Sequence, residues 1–94
     1  MNESSLSDAA LAELLTLTVE VDEYATIYRN HLGQKHRVHG PAVIWAGGGK
    51  GWFLDGKRHR TDGPAIEWPD GDNLWYLNDE HITEEMFNGR IKTI

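Results

Sequence analysis

Two stretches of thirteen residues decide the fold: GQKHRVHGPAVIW at residues 33–45 and GKRHRTDGPAIEW at residues 56–68. They align without a gap at a spacing of 23 residues, and the glycine, the His-Arg pair, the Gly-Pro-Ala tripeptide and the tryptophan coincide. Self-similarity at a fixed period is the sequence signature of a repeat architecture. A degenerate earlier copy, around residues 27–30, precedes these two full units.

Each unit has the pattern of a β-hairpin. In the second unit, residues 65–68 and 74–77 alternate in polarity around Pro69-Asp-Gly-Asp72, and such clusters supply turn geometry. In the first unit the glycines of residues 47–49 take the place of this turn. The sequence therefore predicts an antiparallel meander of repeated hairpins, which ends where the repeat fails at Asp79.

The alternation also assigns side chains to the two faces of the predicted sheet. All four tryptophans fall on one face, with Val43, Leu54, Ile66 and Leu77, whereas Ile44, Phe53, Glu67 and Tyr76 fall on the other. A single sheet must bury its apolar face against another element. The leucines that follow Ser7 have helical spacing, and Ser7 is a suitable N-cap with a staple between Leu6 and Leu11, so we expect an N-terminal helix on the tryptophan face.

The predicted fold class is therefore α+β and mainly β, in one domain over residues 1–94. It comprises an N-terminal helix over residues 6–18, β-hairpin repeats of about 23 residues over 19–80, and a short C-terminal helix over 83–88. Thr83 is the expected cap of the second helix and Asn88-Gly89 its stop. Met86 and Phe87 would pack on the last hairpin.

Length and composition exclude several function classes. The chain has 94 residues and no cysteine, which excludes disulfides, thiolate metal sites and cysteine nucleophiles. A domain of this size has little core in which to build a deep substrate cavity. No apolar run reaches the ~20 residues of a membrane span, and no basic and apolar leader begins the sequence. We expect a protein of a reducing cytoplasm that is neither secreted nor inserted in a membrane.

The net charge of −6 is divided into blocks of alternating sign. Residues 1–28 carry six acids and no base, residues 29–61 carry seven bases and one acid, and residues 62–89 carry eight acids and no base. A net acidic chain is repelled by polyphosphate, which disfavours direct nucleic-acid binding. A compact basic face could still bind phosphate or an acidic protein, or the blocks could screen one another.

The unit from Trp52 to Gly71 resembles the repeat of small proteins that are common in bacteriophages and mobile elements. Those repeats are similar in appearance to the glycine- and aromatic-rich hairpin repeats called MORN. The resemblance covers about residues 27–88 and rests on the His-Arg and Gly-Pro-Ala core. It implies a β-hairpin array, a phage or prophage origin and the cytoplasm of a bacterial host, and it carries over no catalytic residue.

The His-Arg pairs are the first binding candidates. Arg37 and Arg60 are equivalent, so we expect them to lie along one edge of the meander, and a planar guanidinium suits carboxylate or phosphate. The resulting cationic strip would contain Lys35, Arg37, Lys57, Arg58 and Arg60, beside His36 and His59. The alternative is a structural role for these residues. The arginines would then pair with the chain's own aspartates, and the histidines would bond backbone groups at the corner between hairpins.

Two further surfaces are candidates. Phe53 and Tyr76, on the face opposite the tryptophans, would form an exposed apolar patch, or would pack on the C-terminal helix or a second copy of the chain. The acidic blocks, with Asp70, Asp72, Asp79 and Glu80, would imitate the charge of DNA.

No constellation for catalysis is present in the sequence. The serines near residue 7 have no histidine nearby, and Gly47-Gly-Gly-Lys50 lacks the spacing of a P-loop. His36 and His39 fall in a loop without nearby carboxylates, so neither a metal nor a cofactor is expected.

Three functions remain open at this stage. The first is a non-enzymatic phage or mobile-element accessory protein that binds and inhibits a host protein, for example an anti-CRISPR or other anti-defence factor directed at a nucleic-acid-binding complex. The second is a module that binds a phosphorylated small molecule or RNA through the His-Arg strip. The third is a homo-oligomeric structural unit joined through open sheet edges. The chain would be a monomer or a homodimer.

Overall fold

A computed structural model describes residues 7–92, in which nine strands lie between two helices. Helix α1 spans Asp8–Leu14 and helix α2 spans Glu84–Lys92. The strands are β1 (Thr18–Val21), β2 (Ala25–Arg29), β3 (Val43–Trp45), β4 (Lys50–Gly51), β5 (Phe53–Leu54), β6 (Lys57–Arg58), β7 (Ile66–Glu67), β8 (Trp75–Leu77) and β9 (Glu80–Ile82). The predicted class, mainly antiparallel β-structure with an N-terminal and a C-terminal helix, is confirmed.

The strands pair in three sheets. One sheet has the order β1-β2-β3-β4-β7, and the β5-β6 and β8-β9 pairs form two-stranded sheets. All these pairings are antiparallel. The two small sheets have the same register after a shift of 23 residues, since Phe53 pairs with Arg58 and Tyr76 with His81. The pairing is thus divided among three sheets rather than continuous through one meander.

The core lies where the five-stranded sheet meets the β5-β6 hairpin. Ala42, Val43, Phe53 and Ile66 form its buried cluster. Ala42 and Ala65, the alanines of the two Gly-Pro-Ala tripeptides, have no exposed surface. Their carbonyl groups accept the N–H groups of Tyr28 and Trp52 at 2.8 and 2.7 Å. The small side chain of alanine lets the backbone of Tyr28 or Trp52 come close enough to form this hydrogen bond.

The predicted face assignment is wrong for Phe53, which is buried in the core with Val43 and Ile66. The chain passes from β4 in one sheet to β5 in another through Trp52, which belongs to neither strand. Alternation with a period of two holds only along one continuous strand. A Cβ added to Gly51 would lie 2.9 Å from the Phe53 ring, so this ring fills the space beside the glycine.

The helix boundaries differ from those predicted. Ser7 is the N-cap of α1, with its hydroxyl accepting the Ala10 N–H at 3.1 Å, but the helix ends at Leu14 rather than at residue 18. The residues that follow enter β1, whose β-branched side chains favour a strand. Leu11 and Leu15 are exposed, so the predicted packing of this leucine stripe on the tryptophans is not observed. Leu6, the other member of the predicted staple, lies outside the described residues.

Helix α2 begins after Thr83, as predicted, because the Thr83 hydroxyl accepts the Met86 N–H at 3.0 Å. Asn88-Gly89 does not end it, and the helix continues to Lys92. A glycine within a helix costs only ~1 kcal/mol relative to alanine, so it stops a helix only where the next residues turn away. Phe87 is buried and Met86 is half exposed.

Candidate functional site

The two histidines of the His-Arg pairs hold the turns of the small hairpins. The Nδ1 atom of His36 accepts the N–H of Asp55, and the Nδ1 atom of His59 accepts the N–H of Asn78, both at 2.9 Å. Asp55 and Asn78 both have φ of 49°, a conformation that non-glycine residues adopt rarely. The imidazoles therefore stabilise two strained turns, which is the structural role that the sequence favoured.

The two arginines of the pairs also have equivalent settings. The guanidinium of Arg37 lies 4.2 Å from the centroid of the Tyr28 ring, and that of Arg60 lies 3.6 Å from the centroid of Trp52. Each Nη1 atom donates to the carbonyl of the proline four residues later, at 3.4 Å for Arg37 and 3.1 Å for Arg60.

This setting explains the glycine of the Gly-Pro-Ala tripeptide. A Cβ added to Gly40 or to Gly63 would lie 2.9 Å from the Cζ atom of the arginine three residues earlier. The guanidinium is held between this glycine and the aromatic ring, so glycine leaves the space that the arginine occupies.

A third equivalent pair consists of Lys35 and Arg58. The Nζ atom of Lys35 lies 5.3 Å from the Phe53 centroid, and the guanidinium of Arg58 lies 4.2 Å from the centroid of Tyr76. The Nε atom of Arg58 also donates to Asp79 at 2.6 Å. This hydrogen bond raises the pKa of Arg58 and lowers the pKa of the Asp79 carboxyl.

The two His-Arg pairs differ in the carboxylates around the arginine. Arg60 donates from Nε to Asp62 at 2.7 Å and from Nη1 to Glu67 at 2.9 Å. The positions equivalent to these two acids in the first unit hold His39 and Ile44. Among the described side chains no carboxylate pairs with Arg37, and its buried Nε atom has no hydrogen-bond partner.

A cavity of about 580 Å³ lies between the corner loops of the two units. Residues 37–40 of the first loop and residues 59–62 of the second line it, together with Trp52 and Leu54. Both arginines therefore line this cavity. Arg60 has its two carboxylate partners, whereas Arg37 has none among the described side chains.

The predicted cationic strip is largely engaged within the chain. Arg58 and Arg60 are in ion pairs with acids, and His36 and His59 bind backbone N–H groups. Lys57 is exposed in β6. Of the two arginines that line the cavity, Arg37 has no acid partner among the described side chains.

The predicted apolar patch is not formed, because Phe53 is in the core and Tyr76 is partly covered by Arg58 and by the His81 ring at 5.2 Å. Of the acidic candidates, Asp70 and Asp72 are exposed in one turn, where the Asp70 carboxylate accepts the Asp72 N–H at 2.9 Å. Asp79 is bound to Arg58, and Glu80 lies in β9.

Sequence reasoning missed two features. The Glu13 carboxylate accepts the N–H groups of Val38 and His39, the latter at 3.0 Å, and so fastens α1 to the first corner loop. Strand β1 lies at the edge of the five-stranded sheet. The alternation of Thr18-Val-Glu-Val21 in the sequence was the signal for this strand.

Three comparisons with known proteins, against family models, curated proteins and solved structures, found no match. Within residues 7–92 no group of three or more potential ligand side chains could hold a metal ion. No helix of the described part of the chain is long and apolar enough to cross a bilayer.

Proposed function

We propose that this chain is a non-enzymatic accessory protein that binds a host protein and inhibits it. The observation that carries the proposal is the exposed edge strand β1. The repeats' resemblance to small phage proteins supports a phage or mobile-element origin, and an anti-defence role follows from that origin.

Strand β1 offers both backbone and apolar side chains to a partner. Its pairing with β2 uses one edge, and in residues 7–92 no strand pairs with the other. All four of its residues are exposed, and Val21 retains 70% of its surface. Tyr24, in the turn that follows, is exposed to a similar extent. An open sheet edge is a template for strand addition, which proteins normally block and which binding proteins use.

The other edge of the same sheet provides the contrast. Ile66 of β7 exchanges two backbone hydrogen bonds with Leu74, at 3.1 and 2.9 Å. This bridge covers part of the β7 edge, whereas the described residues contain no such bridge at β1.

The charge around β1 indicates the chemistry of the partner. Asp22 and Glu23 follow the strand directly in the exposed turn, and the base beside β1, Arg29, is paired with Glu20 of the strand. Complementarity favours a partner whose apolar strand or groove has a basic rim. Host proteins that bind nucleic acids carry such rims, so a nucleic-acid-binding defence complex is the proposed target.

The repeat contributes the scaffold in this proposal. We infer that the 23-residue unit is a structural repeat, since the histidine, arginine and glycine contacts recur at equivalent positions in both units. The imidazoles of His36 and His59 accept backbone N–H groups at these corners and so have a structural role. This supports a binding role rather than an enzymatic one.

The test compares two exposed apolar positions. Val21→Lys changes β1, and Leu32→Lys changes a loop residue that is also 70% exposed. Tagged wild-type protein and both variants are used to capture proteins from nuclease-treated bacterial lysate. We expect a stoichiometric protein with the wild type and with Leu32→Lys, and its loss with Val21→Lys. Equal capture by all three proteins, or no stoichiometric protein with the wild type, would overturn the proposal.

Imitation of DNA by the acidic surface is a separate part of the proposal. Asp70 and Asp72 are the appropriate residues for its test, because reversing Asp79 would also release Arg58. The double variant Asp70→Lys with Asp72→Lys should weaken capture if carboxylates replace phosphates in the partner's groove. Unchanged capture would limit the interface to β1.

A further inference from the structure

The two corner loops are copies of one another, and the second copy shows what its arginine binds. Arg60 donates to two carboxylates, Asp62 through Nε and Glu67 through Nη1. Arg37 has the same stacking on a ring and the same carbonyl acceptor, but His39 and Ile44 occupy the positions of the two acids. Its buried Nε is a donor without an acceptor among the described residues.

We propose that the cavity between the corner loops binds a small organic carboxylate, which pairs with the guanidinium of Arg37. The Nε atom is buried beside Gly40, so an anion in the cavity would contact the part of the guanidinium that lines the cavity rather than Nε. A carboxylate from outside the chain would restore at Arg37 the type of contact that the chain itself supplies at Arg60.

The cavity also has an apolar wall and a second donor. Trp52 and Leu54 line it, and its volume of about 580 Å³ is in the range of sites for small ligands. His59 lines it as well. Because the Nδ1 atom of this histidine accepts the Asn78 N–H, the hydrogen of the neutral ring is on Nε2, which can donate. The ligand class is therefore a monocarboxylic acid with a compact apolar body.

The experiment is a titration of the isotopically labelled full chain, followed by NMR of the backbone amides and the arginine Nε–H groups. Benzoate is the probe, benzamide is the neutral control of the same shape, and inorganic phosphate is the control of another anion class. We expect benzoate to shift the Arg37 Nε–H signal and the amides of residues 37–40 and 59–62. The shift of the Arg60 Nε–H signal should be smaller because Asp62 already occupies that donor.

Two variants supply the missing carboxylate from within the chain. His39→Asp and Ile44→Glu give the first unit the acids that surround the arginine in the second unit. Each should weaken benzoate binding by about tenfold or more, since a bound anion then competes with an internal one. His39 is exposed, so His39→Asp tests the proposal even if Ile44→Glu disturbs the sheet. Leu32→Glu adds the same charge at an exposed loop position and should leave binding unchanged.

Four results would overturn the proposal. They are equal shifts with benzamide and benzoate, tighter binding of phosphate than of benzoate, unchanged benzoate binding in His39→Asp, and shifts that lie outside the two corner loops. Because β1 is not part of this cavity, these results leave the proposed binding of a host protein untouched.

Discussion

Replacing each arginine of the His-Arg pairs with methionine should have unequal effects on stability, although the two residues are equivalent in the repeat. Methionine keeps much of the apolar stem and removes the charge. For Arg60→Met we expect a loss of about 2–3 kcal/mol in the free energy of unfolding. For Arg37→Met we expect a loss below about 1 kcal/mol.

The magnitudes follow from the contacts. Arg60 is 18% exposed, so its stacking on Trp52 is partly desolvated and is worth about 1–2 kcal/mol. The bond to the Pro64 carbonyl adds about 1 kcal/mol. The pair with Asp62 adds little, because that carboxylate is 82% exposed and screened by solvent. The guanidinium of Arg37 lies farther from its ring than that of Arg60 does. Its hydrogen bond to the Pro41 carbonyl is 3.4 Å long, close to the limit for a hydrogen bond.

Chemical denaturation at neutral pH measures both values, and thermal unfolding provides a second readout. For a domain of this size about 1 kcal/mol corresponds to ~4–8 °C in Tm, so Arg60→Met should lower Tm by about 10–20 °C. Equal losses for the two variants, or a larger loss for Arg37→Met, would refute the reasoning that the closer ring and the shorter carbonyl bond distinguish the two sites.

Three further predictions concern the turns and the core. His59→Ala should cost about 1 kcal/mol in chemical denaturation, because it removes the hydrogen bond to an exposed turn N–H, and unchanged stability would contradict the turn-holding role. The bond to Arg58 holds the pKa of the Asp79 carboxyl below its ordinary value of 3.8. This bond therefore stabilises the fold above pH 3.8, and its contribution is lost as the pH falls through the lowered pKa. In Arg58→Gln, an NMR titration of Asp79 should show the midpoint returning toward 3.8. Gly51→Ala should cost about 1–3 kcal/mol because its Cβ would lie 2.9 Å from the Phe53 ring. Gly47→Ala, whose Cβ would have nothing within 4 Å, should be near neutral, and similar stabilities of the two variants would contradict the packing around Phe53.

The repeat made a structural role of the corner residues predictable from sequence, but not the stacking of Arg37 and Arg60 on aromatic rings. A histidine and an arginine that recur with Gly-Pro-Ala at a fixed spacing suggested a role within each unit, and both units show that role in the same contacts. The hairpin at Asn78-Asp79 was not predicted, because the sequence repeat fails there. Asp79 nevertheless adopts a φ of 71° in place of the glycine, and Arg58 holds its carboxylate.

The faces of the sheet could not be derived from alternation alone. Trp52 separates two strands that belong to different sheets, so a side chain assigned to the exposed face, that of Phe53, reaches the core. The sequence also predicted a longer helix with its leucines packed on the sheet, whereas α1 ends at Leu14 and Leu11 is exposed.

The candidate cavity was only partly visible in the sequence. The replacement of Asp62 and Glu67 by His39 and Ile44 in the other unit can be read from the alignment. Its significance depends on the fold, because only the contacts of Arg60 show that these two acids neutralise the arginine.

Binding of a host protein at β1 requires that no second copy of the chain occupies the outer edge of this strand. Light scattering of the purified chain over a wide range of concentrations tests this directly, with Val21→Lys as the matched variant. We predict the mass of a single chain at every concentration for both proteins. A wild-type mass of two chains that falls to one chain in Val21→Lys would show that a second copy occupies the edge, and would contradict the proposed binding of a host protein there.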